Sequence, residues 1–487
     1  MSARGDLREL RRHRVPGWWS DAKLGIFVHW TPASVPGWAP VDSDVGSLMA
    51  AGAPDALAAN PYTEWYENSL RFPDSPVSRH HRETHGSKPY SAFAAEYCAA
   101  LQSWDPDDWA RRFAATGARY VVLVAKHHDG WCLWPSAVPN PRRGNWHSHR
   151  DIVGELREAV LGAGMRFGIY YSGGLDWTFE PRPIGNLGDL LAAIPRGGYP
   201  AYADAQVREL ISRYTPSVLW NDIAWPSVGA RLWPLMAHYY DSVPDGVLND
   251  RWMPWNPLLA TTRNQRVRRA ADRLNATLTD PAGGLVPPKP PHFDVRTPEY
   301  VHFEQVQRDP WECVRGCDQS FGYNRNSRPE DFLSPGELLA MFTDIVAKGG
   351  NLLLNVGPRG EDATIPAEQL GLLDALASWT GRNGASVFGS RPWVRPAATT
   401  ADGVELRFWT RDRSLHVAVG HDPAASTPGA DGELIVPGVS ATPTTRVLDS
   451  LGNPVEHRSE PGALVLLTGG APQGPWPVYE LRDCRAV

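Results

Sequence analysis

Nowhere in these 487 residues is there a run of 18 apolar ones. The opening stretch, MSARGDLRELRRHRVPGWW, is basic but lacks the apolar core of a secretory signal. No membrane partner is therefore expected, and the expected location is cytoplasmic. Positive charge is also scarce. Lys and Arg number 48 against 54 Asp and Glu, for a formal net charge of −6, which argues against a nucleic-acid partner or an anionic surface. Very few of the basic residues are lysine, and the weight of Arg, Ala, Gly and Pro reads as genomic bias. The five cysteines, at 98, 132, 313, 317 and 484, are odd in number and form no disulfide framework, so a reducing compartment is expected. Cys313 and Cys317 stand four apart, as on one face of a helix. No second Cys or His pair lies near enough to complete a zinc site. Neither a metal nor a cofactor is expected.

Tryptophan is what the chain has in excess, with 21 copies. Most are accounted for by core packing. Indole also offers a flat platform with one donor, which suits the CH face of a sugar.

Up to about residue 360, apolar runs alternate with amphipathic stretches. KLGIFVHW (23–30), RYVVLVAKHHDGW (119–131), MRFGIYYSGGLDW (165–177), SVLWND (217–222), GVLND (246–250) and NLLLNVGP (351–358) read as strands. PDDWARRFAATGA (106–118), DIVGELREAVLGAG (151–164) and ADAQVRELISRY (203–214) read as helices. Asp105 suits an N-cap, Pro106 the first helical position and Gly117 the C-terminal end. Fully apolar strands alternating with helices predict an α/β fold whose parallel sheet is buried on both faces. Their length and number favour a (β/α)8-like TIM barrel, which gathers its active site at the C-terminal ends of the strands. The unusual polar residues sit at those ends: His29, His127, His128, Tyr171, Asp222, and Asp250 with Arg251. Residues 253–291 are too long for an ordinary loop and form an inserted excursion. From about 395, short runs separated by Gly, Pro and Asp predict an all-β sandwich. The expected domains are 1–390, a catalytic barrel with the excursion at 253–291, and 391–487, a C-terminal β-sandwich. No internal repeat or low-complexity tract is evident.

Three features carry candidate chemistry. KHHDG (126–130) presents adjacent histidines, open to three readings: a pocket lining, structural histidines, or a metal site. Side chains of strand neighbours point to opposite faces, so one ion could be shared only across a turn. Asp222 closes an apolar strand between Trp220 and Trp225, and a charge beside indoles needs hydrogen bonds or chemistry to compensate it. Glu299, in DVRTPEY, sits on a proline-fixed turn. Two carboxylates are what glycoside hydrolysis requires, one ionised and one protonated.

Between about residues 17 and 366 the chain resembles the retaining α-L-fucosidases of glycoside hydrolase family 29. Nine blocks occur in the family's order: WWSDAKLGIFVHWTPASVPGW, EWYENSL, WDPDDWARRFAATGARYVVLVAKHHDGWCLW, RFGIYYSGGLDW, VLWNDIAWP, LNDRW, RTPEY, SFGYNRN and NLLLNVGPRGEDATIP. The resemblance implies a barrel followed by a β-sandwich. Its substrate would be a fucosylated glycan or glycoside, cleaved exo-fashion by double displacement through a covalent fucosyl-enzyme, and a homo-oligomer is compatible with it. It implies Asp222 as nucleophile and Glu299 as acid/base, with Glu312 the fallback. His29, Glu64, His127, His128, Tyr171, Trp220 and Arg251 are implied as fucose contacts, with Arg296 competing for the arginine's part. The missing C6 hydroxyl of fucose calls for an apolar, partly aromatic niche. Thr31 departs from the glycine that often follows the HW pair, and the excursion falls beside the leaving-group side. The rival readings are a metal-dependent barrel hydrolase built on the His127/His128 region, a fucose-binding protein without catalysis, and a fucosyl-transferring enzyme.

Overall fold

Seven apolar runs pair side by side, all parallel: β1 (Leu24–Val28), β2 (Tyr120–Lys126), β3 (Arg166–Tyr171), β4 (Val218–Asn221), β5 (Val247–Leu248), β6 (Glu312–Gly316) and β7 (Asn351–Val356). The computed structural model describes residues 6–51, 53–270, 284–420, 432–469 and 474–487. The strand order is β5-β4-β3-β2-β1-β7-β6. Residues 295–299 bring the two edges together. Asn249 bridges Val295 in parallel on one side, and Arg296 and Glu299 bridge Trp311 and Val314 on the other. The curled sheet thereby closes through a short eighth segment, which the sequence patterning does not reveal.

Residue parity decides what each strand buries. Phe27, Tyr120, Val122, Val124, Tyr170, Val218, Trp220, Val314 and Leu353 face inward and fill the barrel. Ile26, Val121, Leu123, Ile169, Tyr171, Leu219 and Leu354 face outward and pack beneath the helices in the larger core. The helices start where the caps predict. Asp105 accepts from the Asp107 amide to open Pro106–Ala115, and Gly117, at φ +82, closes that turn. Asp151 caps Ile152–Gly162, and Ser334 with Glu337 forms a capping box on Pro335–Ala347.

Cys313 and Cys317 are not helical. Cys313 lies in β6, whose residues pair with Asn351–Asn355 of β7. A strand also returns to the same side after four residues, and both thiols are buried in the outer core. Of the excursion, residues 271–283 lie outside the described residues. Its first part forms the 3-10 turn Pro257–Arg263, and Arg268 pairs with Asp189 at 3.0 Å on the helix Leu187–Ala192. Its last part returns to the barrel, where Leu285 bridges Glu299.

After the helix Ala367–Val387 the chain becomes all-β: β8 (Arg391–Thr399), β9 (Glu405–Arg411), β10 (Ser414–Val419), β11 (Glu433–Pro437), β12 (Val439–Ser440), β13 (Arg446–Leu448), β14 (Pro454–Glu460), β15 (Ala463–Leu467), β16 (Val478–Arg482) and β17 (Arg485–Ala486). Eight form one antiparallel sheet, ordered β11-β15-β14-β13-β16-β10-β9-β8. β14 pairs with β13 at its start and with β15 along its length. The two arms enclose a core of Leu406, Phe408, Val417, Leu434, Val436, Leu464 and Leu466. This module is tied to the barrel helices by Arg407 on Asp344 (2.6 Å), Trp379 Nε1 on the Trp476 carbonyl (2.9 Å) and Trp409 Nε1 on the Ser386 carbonyl (2.8 Å). No helix among the described residues is long and apolar enough to cross a membrane.

Candidate active site

At the C-terminal end of β4 the chain leaves the strand at Asn221 and places Asp222 at the barrel mouth. Three donors converge on its carboxylate. Tyr170 Oη donates to Oδ2 (2.7 Å), and the Ile223 amide (2.8 Å) and Arg251 Nη1 (3.1 Å) donate to Oδ1. Glu299 stands on the closing segment, held between Leu285 and Val314. It accepts from Tyr62 Oη (2.7 Å) and from Arg251 Nη2 (2.7 Å). One buried guanidinium thus joins both acids. Its rigid fork keeps the two bonded oxygens within about 8 Å of each other. Arg251 itself lies over the Trp220 ring, 4.7 Å from its centroid, and the two carboxylates hold its pKa above the usual arginine value despite burial.

The histidines come from two strand ends. β2 stops at Lys126, and a turn closed by Gly130 N–H on the His127 carbonyl (3.1 Å) swings both His127 and His128 into the pocket, ring centroids 4.0 Å apart. His29 follows β1. Burial lowers His29 to about 4 and His128 to about 3, and drives His127 well below the ordinary value. All three rings are neutral near pH 7. The 3.9 Å approach of His128 Nε2 to Asp222 is therefore not an ion pair. Hydrogen bonding fixes the tautomers. His29 Nδ1 donates to Asn355 Oδ1 (2.5 Å). Ser172 Oγ spends its proton on the Leu175 carbonyl (2.8 Å) and accepts from His128 Nδ1 (2.6 Å). Nε2 of His29 and of His128 is left as an acceptor, which suits a ligand rich in hydroxyl donors. Among the described residues, His127 Nδ1 has no partner.

Glu64 is the third acid of the pocket, 4% exposed, and neither of its oxygens is hydrogen-bonded among the described residues. Burial raises its pKa to about 8, while the nearby amides of Glu64 and Gly322 oppose the rise without reaching bonding geometry. A buried carboxyl without partners is costly unless a ligand supplies them.

Of the residues expected from sequence, His29, Glu64, His127, His128, Trp220, Asp222, Arg251 and Glu299 line one pocket. Tyr171 does not. It points outward to Gln206 (3.0 Å), and its neighbour Tyr170 takes the inward place. Strand parity puts Tyr170 on the same side as Trp220, against which it stacks at 5.3 Å. Arg296 is turned away from the pocket and bonds Asp250 (2.7 Å). Glu312 lies deeper inside the barrel, bonded by Tyr120 (2.7 Å) and Trp220 Nε1 (3.3 Å), with burial raising it to about 7. It does not line the pocket. Trp225 packs on Trp252 in the outer core, so Trp220 alone of the two indoles flanking Asp222 reaches the site. Thr31, at φ −136, has extended backbone open to any residue and caps the turn Pro32–Ser34. Sequence reasoning did not single out Tyr62, Trp65, Tyr170, Phe27 or Phe321, which also line the pocket. The last two and Trp65 give it the aromatic character expected for a methyl niche. Parity could have found Tyr170, and Phe27 two residues before His29 on the same strand face, whereas the others need the fold. Among the described residues, no His, Cys, Asp or Glu group is arranged to hold a metal ion.

Residues 3–385 match the protein family described as Alpha-L-fucosidase. The tissue alpha-L-fucosidase of Bos taurus is 28% identical over 405 residues, covering 80% of this chain and 72% of that protein. The alpha-L-fucosidase of Dictyostelium discoideum is 28% identical over 401 residues, covering 79% and 74%. Among solved structures, the alpha-fucosidase of Thermotoga maritima in complex with fucose superposes with a TM-score of 0.79 at 36% identity. It covers 98% of this chain and 99% of that one. A complex of the same enzyme with a mechanism-based inhibitor gives the same score and identity.

Proposed function

The chain belongs to the alpha-L-fucosidase family, and from that premise we propose that it hydrolyses terminal α-L-fucosides with retention, Asp222 acting as nucleophile and Glu299 as acid/base. Asp222 attacks the anomeric carbon while Glu299 protonates the glycosidic oxygen. The C1–O bond breaks as the C1–Oδ bond forms, giving a β-fucosyl ester on Asp222. Glu299, now a carboxylate, takes a proton from water, which attacks the same carbon and frees α-L-fucose. A retaining pair works at about 5–5.5 Å, an inverting one at about 6.5–9.5 Å.

The observation that carries the reading is the shared arginine. Arg251 bonds both acids at 3.1 and 2.7 Å, which brings residues 77 positions apart to one pocket. The acceptor nitrogens of His29 and His128 and the unpartnered Glu64 support recognition of sugar hydroxyls around it. Positive charge beside both acids, and a Tyr hydroxyl on each, suit the charge that moves between them as the bond breaks.

Asp222→Ala should abolish turnover of an aryl α-L-fucoside, with azide partly restoring it and yielding the β-fucosyl azide. Full activity in that variant ends the assignment. Glu299→Ala should impair poor leaving groups far more than activated ones. If Glu312→Ala does so instead, the acid/base role moves there.

A further inference from the structure

Above its polar floor the pocket has an aliphatic mouth. Met49, Leu190, Ile223 and Leu285 line it half-buried, with Val45 and Leu57 buried behind them. They come from four separate stretches: the helix Val45–Ala51, the helix Leu187–Ala192, the turn after β4, and the end of the excursion. All join one apolar cluster with Trp65, Leu175 and Trp177. Among the described residues the polar side chains beside this wall are Asn60, whose side-chain oxygen accepts from the Tyr62 amide (2.9 Å), and Tyr62, whose hydroxyl is spent on Glu299 (2.7 Å).

The mouth lies on the leaving-group side. Leu285 is bound to Glu299 by two backbone hydrogen bonds, 2.8 and 2.7 Å. Ile223 directly follows Asp222 and donates its amide to that carboxylate. A group that takes its proton from Glu299 departs on the side of that acid, where Leu285 stands, and Leu285 shares its apolar cluster with Met49, Leu190 and Ile223. Ile223 also sits at φ +68, a region that β-branched residues avoid. Glycine or asparagine would hold that backbone with less strain. Isoleucine instead adds apolar surface to the mouth.

We infer that the leaving-group side takes an apolar aglycone, alkyl or aryl, in preference to a second sugar; this rests on the fucosidase reading above. A sugar there brings hydroxyls that lose water against aliphatic walls which, among the described residues, offer few partners. An alkyl chain gains burial at every carbon.

Methyl, butyl and octyl α-L-fucosides test this, because their alkoxide leaving groups differ little in acidity while their apolar area grows. The expected result is a rise in kcat/KM of up to about fourfold per methylene over the first carbons, then a plateau as the chain clears the mouth. A fucosyl disaccharide should fall below the butyl fucoside. In Met49→Ser and Leu190→Ser the octyl-to-methyl ratio should shrink, and a ratio taken within one variant cancels any loss of folded enzyme. A flat wild-type series, or serine variants that keep the wild-type ratio, overturns the inference. A flat series with methyl fucoside still cleaved leaves the fucosidase reading standing, whereas no turnover of any fucoside overturns both.

Discussion

Glu64→Gln should change how stability depends on pH, and the size of the effect follows from the pocket. Burial is the largest influence on Glu64, with the charges of Asp318 and Glu299 adding to it, and together they raise the carboxyl from 4.5 to about 8. Between those values the folded protein keeps a proton that the unfolded chain has released. The unfolded state then binds fewer protons, so stability falls as pH rises through this window and levels off above it. At 1.36 kcal/mol per unit the full shift corresponds to roughly 5 kcal/mol, and local relaxation with water entry brings the expectation to about 2–5 kcal/mol. Glutamine keeps the shape of the protonated acid and cannot ionise. Urea unfolding of both proteins from about pH 5 to pH 9 measures the difference. Asp129, Glu312 and Asp318 are also raised by burial, to about 7, 7 and 6, but they titrate in both proteins and largely cancel. The stability of the glutamine variant relative to wild type should climb with pH. A difference that stays flat, or that grows as pH falls, refutes the reasoning.

Three further outcomes are expected. Tyr170→Phe removes the 2.7 Å bond to Asp222; a bond to a charged group is worth about 1.5–3 kcal/mol, so kcat/KM should drop on the order of 10- to 100-fold with the melting temperature little changed. Arg251→Lys replaces a fork by a point charge that cannot hold both acids in the same plane, and should lower kcat by more than about tenfold, read from steady-state kinetics with an activated fucoside. Lys126→Met strands Asp176, its fully buried partner at 2.8 Å, and should cost about 3–5 kcal/mol in chemical denaturation, partly recovered by adding Asp176→Asn.

The sequence carried the strands, the helix caps and the order of the motifs, because period, capping chemistry and Gly/Pro punctuation are local signals. The site was legible where a residue follows its strand directly, as His29 and Asp222 do, or within three residues of it, as Arg251 does after β5. It failed at Tyr171, where two tyrosines stand together and strand parity, not residue type, chooses between them. Inward Tyr170 pairs in register with inward Trp220. The closing segment at 295–299 was not visible, since its apolar content is Val295 alone and its pairing is made of isolated bridges. Cys313 and Cys317 misled for a related reason, because a spacing of four fits a helix turn and a strand face equally. Tyr62 and Trp65 reach the pocket from the cap and the end of the short 3-10 turn Thr63–Trp65, and nothing local marks such an aromatic as a ligand contact.

The central claim is that Asp222 and Glu299 meet across one sugar and invert its anomeric carbon twice. Proton NMR of an aryl α-L-fucoside digest, recorded before mutarotation, tests it most directly. The account predicts α-L-fucose as the first product, and β-L-fucose appearing first would contradict it.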